Sequence, residues 1–195
     1  MTETSSAIRQ SYPREVRVGG DRTVTLRLMG RSDRDAMVDF ARTLPADDLL
    51  FLRRDITDPE VIDGWINNVE IGRAVTVLAE KGGELVGYSS LNLNAALWTR
   101  HVGEIRVLVS PDYRKLGLGR RLAYEVFAIA KDLGLQKMLA RMTPDQKGAR
   151  ATLERLGFTA EALLHDFVLD REGKTRDLLI MSHDVAGLTD TEHLT

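Results

Sequence analysis

Hydrophobic and polar residues alternate along Val102–Val109, and apolar residues then recur every three or four positions from Gly119 to Leu133. The first pattern predicts a β-strand, because successive side chains of a strand point to opposite faces. The second predicts a helix with one apolar stripe, made of Leu118, Leu122, Val126, Ile129 and Leu133. Between them lies Ser110-Pro111-Asp112, whose proline cannot donate to a strand ladder and favours a turn. This stretch therefore predicts a strand, a turn and a helix in direct succession.

The same two periods divide the rest of the chain into helices and strands. An alternating run at Thr23–Met29 predicts a first strand, and helical stretches follow at 36–41, 49–52 and 59–69. Runs at 74–79 and 85–93 flank a Gly-Gly pair that suits a tight hairpin turn. After the central helix we expect a strand at 135–142, a helix capped by Thr143 and Gln146, and a hairpin at 162–169 and 177–183. This order of elements predicts an α/β fold.

Composition narrows the class of protein. The chain has 195 residues, of which 43% are hydrophobic and 29% charged, and its net charge is −2, as is typical of a globular domain. Such a balance gives no reason to expect nucleic acid or an acidic membrane as a partner. Cysteine does not occur in the sequence, which excludes disulfides and a cysteine nucleophile. The four histidines have no spacing typical of a metal site, so we expect no metal.

Both ends of the chain are polar. Residues 1–20 lack the hydrophobic centre of a signal peptide, and no apolar run is long enough to span a bilayer. We expect a flexible N-terminal arm at 1–20, one folded domain at 21–185 and a C-terminal tail at 186–195. These features favour a soluble, cytoplasmic protein.

Two glycines and several cations lie between the central strand and its helix. The free amides and the dipole at a helix N-terminus attract anions, and glycine lets the backbone approach an anion closely. The Walker loop needs four residues between its glycines, whereas one residue separates Gly117 from Gly119. The dinucleotide fingerprint needs a third glycine, which is missing here. Local physics leaves two interpretations: a site for a pyrophosphate, or a solvated basic helix start.

The hexapeptide Arg114-Lys115-Leu116-Gly117-Leu118-Gly119 reads Arg/Gln-x-x-Gly-x-Gly/Ala, the signature of the GNAT (GCN5-related N-acetyltransferase) family. As in that family, it follows a Val-x-Val-x-Pro strand and precedes an amphipathic helix, and a later helix ends in Leu156-Gly157-Phe158. Residues 102–160 also resemble the acetyltransferase domain of bacterial protein-lysine acetyltransferases. The resemblance implies a single domain with a mixed, mostly antiparallel sheet, helices on both sheet faces, and acetyl-CoA as the cofactor.

The resemblance also implies where acetyl-CoA would bind. The central strand would separate from its neighbour, and the backbone of Val107, Leu108 and Val109 would pair with the pantetheine arm and polarise the thioester carbonyl. The pyrophosphate would lie on the loop and helix start formed by Arg114, Lys115, Leu116, Gly117, Leu118, Gly119 and Arg120. Gln146 stands where the family usually carries an asparagine, so it is a further candidate contact, although helix capping explains it equally well.

Glu104 is the candidate catalytic base, since many family members keep a glutamate at this position. An amine must be neutral to attack a thioester, and the ordinary lysine pKa of about 10.4 makes a base or a water relay useful. Arg106 shares a strand face with Glu104, so a plain ion pair is the alternative. Tyr88, Ser90 and Asn92 share one face of the preceding strand and are candidate contacts for the acceptor. The alternative for these three is a strand face turned toward water.

The hypothesis for function is transfer of the acetyl group of acetyl-CoA to a primary amine by direct attack, since no cysteine is present for an acyl-enzyme. The acceptor stays open between a protein lysine and a small amine such as an amino acid, a polyamine or an aminoglycoside. Many family members have a tyrosine where this chain has Leu153, and that tyrosine protonates the thiolate of the departing CoA. This chain has no phenol at that position to do so. An acetyl-CoA sensor with weak catalysis and a nucleotide-binding phosphate loop are the alternatives, and a homodimer is an open alternative to a monomer.

Overall fold

The computed structural model describes residues 8–49, 54–170 and 172–185, and within these residues the strands form one eight-stranded sheet. The strands are β1 (Arg14–Val18), β2 (Arg22–Leu28), β3 (Ala74–Lys81), β4 (Glu84–Leu93), β5 (Val102–Val109), β6 (Lys137–Met142), β7 (Thr159–Leu169) and β8 (Thr175–Asp184). Their order in the sheet is β1-β2-β3-β4-β5-β6-β8-β7. All neighbours are antiparallel except β5 and β6, which are parallel. The predicted mixed, mostly antiparallel sheet is confirmed.

Helices cover both faces of the sheet, as predicted. They are α1 (Arg34–Thr43), α2 (Ala46–Leu49), α3 (Pro59–Glu70), α4 (Leu118–Asp132) and α5 (Lys147–Arg155). On one face, α1 and α3 bury Phe40 and Ile62 against Tyr88 of the sheet. On the other face, α4 buries its predicted stripe against Leu91 and Ile105. No helix within the described residues is long and apolar enough to cross a membrane.

The local sequence explains several of these boundaries. Gly82 and Gly83 both have positive φ, at 61° and 89°, which the tight turn between β3 and β4 requires. Helix α3 begins after Asp58, whose side chain accepts a hydrogen bond of 2.9 Å from the amide of Glu60. Of the helix expected at 49–52, only Leu49 is described, as the last residue of α2; residues 50–52 lie outside the described residues.

The N-terminal segment differs from the expected flexible arm. Arg14–Val18 forms β1, which pairs with β2 along its whole length, from Arg14 opposite Leu26 to Val18 opposite Arg22. Val16 and Val18 are buried in the same core as α4. This short alternation of polar and apolar residues was enough to make an edge strand, because a ready partner strand lies three residues further on. Residues 1–7, and the tail expected at 186–195, lie outside the described residues.

The predicted capping box at residues 143–146 is wrong. The amide of Gln146 donates to the carbonyl of Thr143 at 3.1 Å, which closes a turn ahead of the helix. Helix α5 then begins at Lys147, with Gln146 as its N-cap and no hydrogen bond from the Gln146 side chain to the helix start. The turn therefore uses the residues that the sequence pattern assigned to the first helical turn.

Candidate active site

A wedge opens between β5 and β6 directly after Glu104. The ladder between these parallel strands contains Val102 opposite Lys137, Gly103 opposite Met138 and Glu104 opposite Leu139, and it ends there. On its other side, β5 stays paired with β4 up to Val109, which lies opposite Gly87. The half of β5 after Glu104 has therefore lost one neighbour, and its backbone on that side faces the wedge. This separation was expected from the family resemblance.

The backbone groups that face the wedge can be assigned from the ladder with β4. Ser110 donates its amide to the carbonyl of Val86 at 3.0 Å, so its backbone points toward β4. Because backbone groups alternate sides along a strand, Leu108 also points toward β4, whereas Val107 and Val109 point into the wedge. Val107, Leu108 and Val109 were predicted to bind the pantetheine arm through their backbone. Only Val107 and Val109 present their backbone groups to the wedge, whereas those of Leu108 point toward β4.

The loop that follows β5 has the geometry of an anion site. Lys115 has a φ of 62° and Gly117 a φ of 84°, so the chain twice enters the left-handed region before α4. The first α-helical hydrogen bond of α4 runs from the amide of Arg121 to the carbonyl of Gly117 at 3.0 Å. The amides of residues 118–120 precede that bond and are free to meet an anion. Residues 114–120 are called the anion loop below.

The side chains of the anion loop divide by exposure. Leu118 is fully buried in the core, so only its backbone can contribute to a site. Lys115 and Arg120 are exposed. The guanidinium of Arg114 forms an ion pair with Asp48 of α2 and donates to the carbonyl of Val109 at 3.2 Å. Sequence reasoning missed Asp48, because this pairing joins residues far apart in the chain.

Glu104 lies at the point where the wedge opens. Its side chain is 17% exposed, and one carboxylate oxygen lies 3.9 Å from Nη1 of Arg141 on β6. Arg106 follows two residues later on the same face of β5. Among the described residues, Arg106 takes part in none of the ion pairs found. Two guanidinium groups therefore lie near the candidate base. That of Arg106 was predicted from the strand period. That of Arg141 was missed, because the sequence predicted its strand but not that this strand lies beside Glu104.

The three predicted acceptor contacts differ in accessibility. Tyr88 is fully buried between Phe40 and Trp65, at ring-centroid distances of 6.1 and 4.9 Å, and burial raises the pKa of its phenol well above the ordinary value. Ser90 is 1% exposed, and its hydroxyl accepts a hydrogen bond from Thr76 at 3.2 Å. Asn92 is exposed and lies opposite Glu104 in the ladder. Tyr88 and Ser90 are thus buried beneath the surface of this strand face, and of the three predicted contacts Asn92 alone reaches solvent.

Gln146, Leu153 and two tyrosines near the anion loop differ in exposure. Gln146 is half-buried at the start of α5. Leu153 is 8% exposed and packs in the core, as an apolar side chain at this position would. Tyr124 packs partly buried against the same core, and the ring of Tyr113 lies 5.6 Å below the guanidinium of Arg22.

Comparisons with known proteins agree with this geometry. Residues 39–158 match the model of the "Acetyltransferase (GNAT) family". The protein named "Putative phosphinothricin acetyltransferase YwnH", from Bacillus subtilis (strain 168), is 23% identical over 164 residues, which are 84% of this chain and 100% of that protein. The L-amino acid N-acyltransferase MnaT of Escherichia coli (strain K12) is 27% identical over 118 residues, 60% of this chain and 68% of that protein. The structure of yncA from Salmonella typhimurium with its cofactor acetyl-CoA has a TM-score of 0.74 at 20% identity, covering 87% of this chain and 98% of that one.

Proposed function

The chain belongs to the acetyltransferase (GNAT) family, and we propose that it moves the acetyl group of acetyl-CoA to a small primary amine that carries a carboxylate. That it is an N-acetyltransferase follows from the family match over residues 39–158, which favours an enzyme over a sensor. The observation that carries the proposal is the separation of β5 from β6 directly after Glu104, with Arg106 and Arg141 beside it.

The residues at the wedge fit acetyl-CoA. Amides of residues 118–120 and the open space around Gly117, where an added Cβ would meet nothing within 4 Å, suit its pyrophosphate. The backbone of Val107 and Val109 would hydrogen-bond its pantetheine arm along the free side of β5. Exposed Lys115 and Arg120 add positive charge, and Gln146 stays a further candidate contact. When bound, acetyl-CoA would supply a thioester whose carbonyl carbon an amine can attack directly, with the carbon–sulfur bond breaking and CoA leaving as its thiolate.

Glu104 is the proposed base. An ammonium group cannot act as a nucleophile, so the acceptor must lose a proton before it attacks. The Glu104 carboxylate lies at the opening of the wedge, still partly exposed, and can take that proton directly or through one water molecule. The amides of Val107 and Val109 face the same wedge and would donate hydrogen bonds to the carbonyl oxygen as negative charge develops on it.

The two arginines are the reason to expect a carboxylate on the acceptor. A guanidinium matches a carboxylate with two parallel hydrogen bonds, and such charge-assisted pairs are strong. Arg106 and Arg141 give the surroundings of Glu104 an excess of positive charge, which would repel a polyamine. The name of MnaT, an L-amino acid N-acyltransferase, is in line with this acceptor class. A protein lysine as acceptor and a homodimer as the assembly stay predictions.

Acetyl-CoA is expected to raise the melting temperature of the protein, whereas ATP and NAD at the same concentration are not. A ligand at a hundred times its dissociation constant stabilises the native state by about 2.7 kcal/mol, which shifts the melting temperature by several degrees in a domain of this size. Differential scanning fluorimetry measures the shift. If millimolar acetyl-CoA leaves the melting temperature unchanged, the proposed cofactor is wrong. A shift with ATP or NAD alone would favour the nucleotide-binding alternative.

Gly117→Ala is expected to weaken acetyl-CoA binding about tenfold, because an alanine resists the left-handed φ of 84° and shifts the amides of the anion loop. Gly83→Ala is a matched control, since Gly83 has a φ of 89° and, like Gly117, open space where a Cβ would lie. Both variants should lose about 1–2 kcal/mol of unfolding free energy. Isothermal titration calorimetry should separate them, and equal dissociation constants for acetyl-CoA would count against the anion loop as its site.

A further inference from the structure

Residues 12–22, which carry β1 and the turn into β2, hold the anion loop and α4 from the side away from the acceptor face. We call this segment the N-terminal clamp. At its tip, the amide of Gly19 donates to the carbonyl of Leu116 at 2.9 Å. Arg22 donates to the carbonyl of Asp112 at 3.2 Å, and its guanidinium lies over the ring of Tyr113. The clamp therefore contacts the anion loop and the turn before it.

The bond to Leu116 has a direct consequence for the anion loop. In a trans peptide the C=O and the following N–H point in opposite directions. Because Gly19 holds the carbonyl of Leu116, the amide of Gly117 must point away from the clamp. The space for this contact is tight: a Cβ added to Gly19 would lie 2.9 Å from Cδ2 of Leu116. A larger residue here would push the side chain of Leu116 aside, and the φ of 60° lies in the left-handed region that glycine adopts most readily.

The other end of the clamp is anchored to α4 through a buried carboxylate. Glu125 is 2% exposed and accepts hydrogen bonds from Tyr12 at 2.7 Å and from Arg121 at 2.8 Å. Arg14 forms an ion pair with the same carboxylate. Burial, and then the hydrogen bond to Glu125, raise the pKa of the Tyr12 phenol well above its ordinary value, so this donor keeps its proton. Three donors hold this buried carboxylate in place, and removing either arginine would weaken the pairing of a charge that is shielded from water.

We propose that the N-terminal clamp positions the anion loop for acetyl-CoA, with Gly19 acting as a positioning residue through the Leu116–Gly117 peptide. This inference rests on the proposed function, because the anion loop is the proposed pyrophosphate site. Three strands separate β1 of the clamp from β5, which carries Glu104, so we expect the effect of the clamp to be confined to the cofactor. It predicts a change in acetyl-CoA affinity without a change in the acceptor's KM.

Gly19→Ala is the test, with Gly20→Ala as its matched control. Both glycines have positive φ, at 60° and 92°, but an added Cβ at Gly20 would meet nothing within 4 Å. We expect Gly19→Ala to raise the dissociation constant of acetyl-CoA roughly tenfold, the equivalent of one displaced hydrogen bond to a charged group, and Gly20→Ala to change it less than twofold. At saturating acetyl-CoA, kcat and the KM of the amine should stay at wild-type values. A merely structural role would lower the melting temperatures of both variants and leave these constants unchanged.

A second pair of variants covers the case that Gly19→Ala fails to fold. Arg22→Ala removes the contacts to Asp112 and Tyr113, whereas Arg17→Ala removes an exposed arginine of the same hairpin. Equal acetyl-CoA affinity in both pairs would overturn the proposal. Hydrogen exchange of the amides at 117–120 gives an independent reading, since it should quicken in Gly19→Ala and not in Gly20→Ala. If the wild-type protein binds no acetyl-CoA, the proposed function falls, and the exchange result alone decides whether the clamp holds the loop.

Discussion

Glu104→Gln is expected to lower kcat by about 10²- to 10⁴-fold, the usual contribution of a positioned base, while the dissociation constant of acetyl-CoA stays unchanged. Glutamine keeps the size of the side chain and removes its ability to take a proton. The deficit should shrink as the pH rises toward the pKa of the acceptor amine, because a growing share of the amine is then neutral and needs no base. Steady-state rates between neutral and alkaline pH, with calorimetry for acetyl-CoA, measure both quantities.

The control for this variant is Glu84→Gln, an exposed carboxylate at the start of β4, which should leave kcat unaltered. A kcat for Glu104→Gln within about threefold of wild type at neutral pH would mean that the acceptor loses its proton to solvent or to another group. A simultaneous loss of acetyl-CoA binding would point to damage in the wedge itself. In that case Glu104 would matter for holding β5 apart from β6, since the ladder between them ends at this residue.

The sequence predicted the central part of the fold because each element there carries its own local signal. The period changes at Pro111, the glycine pair at 82–83 requires positive φ, and the stripe of α4 spans four helical turns. Where the signal was short, prediction failed. Five residues of β1 alternate only once or twice, and their strand depends on the neighbouring β2 rather than on intrinsic preference.

The candidate site could be predicted along β5 and the anion loop, and not across the sheet. Positions within one strand share a face by period alone, so Glu104 and Arg106 could be placed together. Arg141 and Asp48 join the site through pairings between distant parts of the chain, which no local pattern encodes. The burial of Tyr88 and Ser90 depends in the same way on α1 and α3 packing over β4. Alternation alone could not say which face of β4 these helices cover.

The two arginines near Glu104, the proposed base, bear on the choice of acceptor. A single arginine beside Glu104 could serve only to hold the carboxylate in position. Arg141 already lies 3.9 Å from that carboxylate, whereas Arg106 takes part in none of the ion pairs among the described residues. We therefore expect Arg106, which shares a face of β5 with Glu104, to be the guanidinium that meets a second carboxylate, that of the proposed acceptor.

Arg106→Gln is expected to raise the KM of an amino acid acceptor about 10- to 100-fold, since a hydrogen bond to a charged group contributes about 1.5–3 kcal/mol. The matched comparison lies in the substrate. An amino acid amide has the same amine and nearly the same shape but no carboxylate, so its KM should change less than threefold in the same variant. Initial rates with both compounds, at saturating acetyl-CoA, give the four constants of a double-mutant cycle.

Arg100→Gln controls for the loss of a positive charge, because Arg100 is an exposed residue of the loop between β4 and β5. It should leave both KM values near those of the wild-type enzyme. If Arg106→Gln raises the KM of the amino acid and of its amide by the same factor, the arginine shapes the pocket without contacting a carboxylate. If the wild-type enzyme instead prefers a polyamine or a lysine peptide to every amino acid, the positive charge beside Glu104 does not select the acceptor, and the proposed acceptor class is wrong. If selectivity for the amino acid over its amide vanishes in Arg106→Gln but persists in Arg100→Gln, Arg106 is the residue that binds the carboxylate of the acceptor.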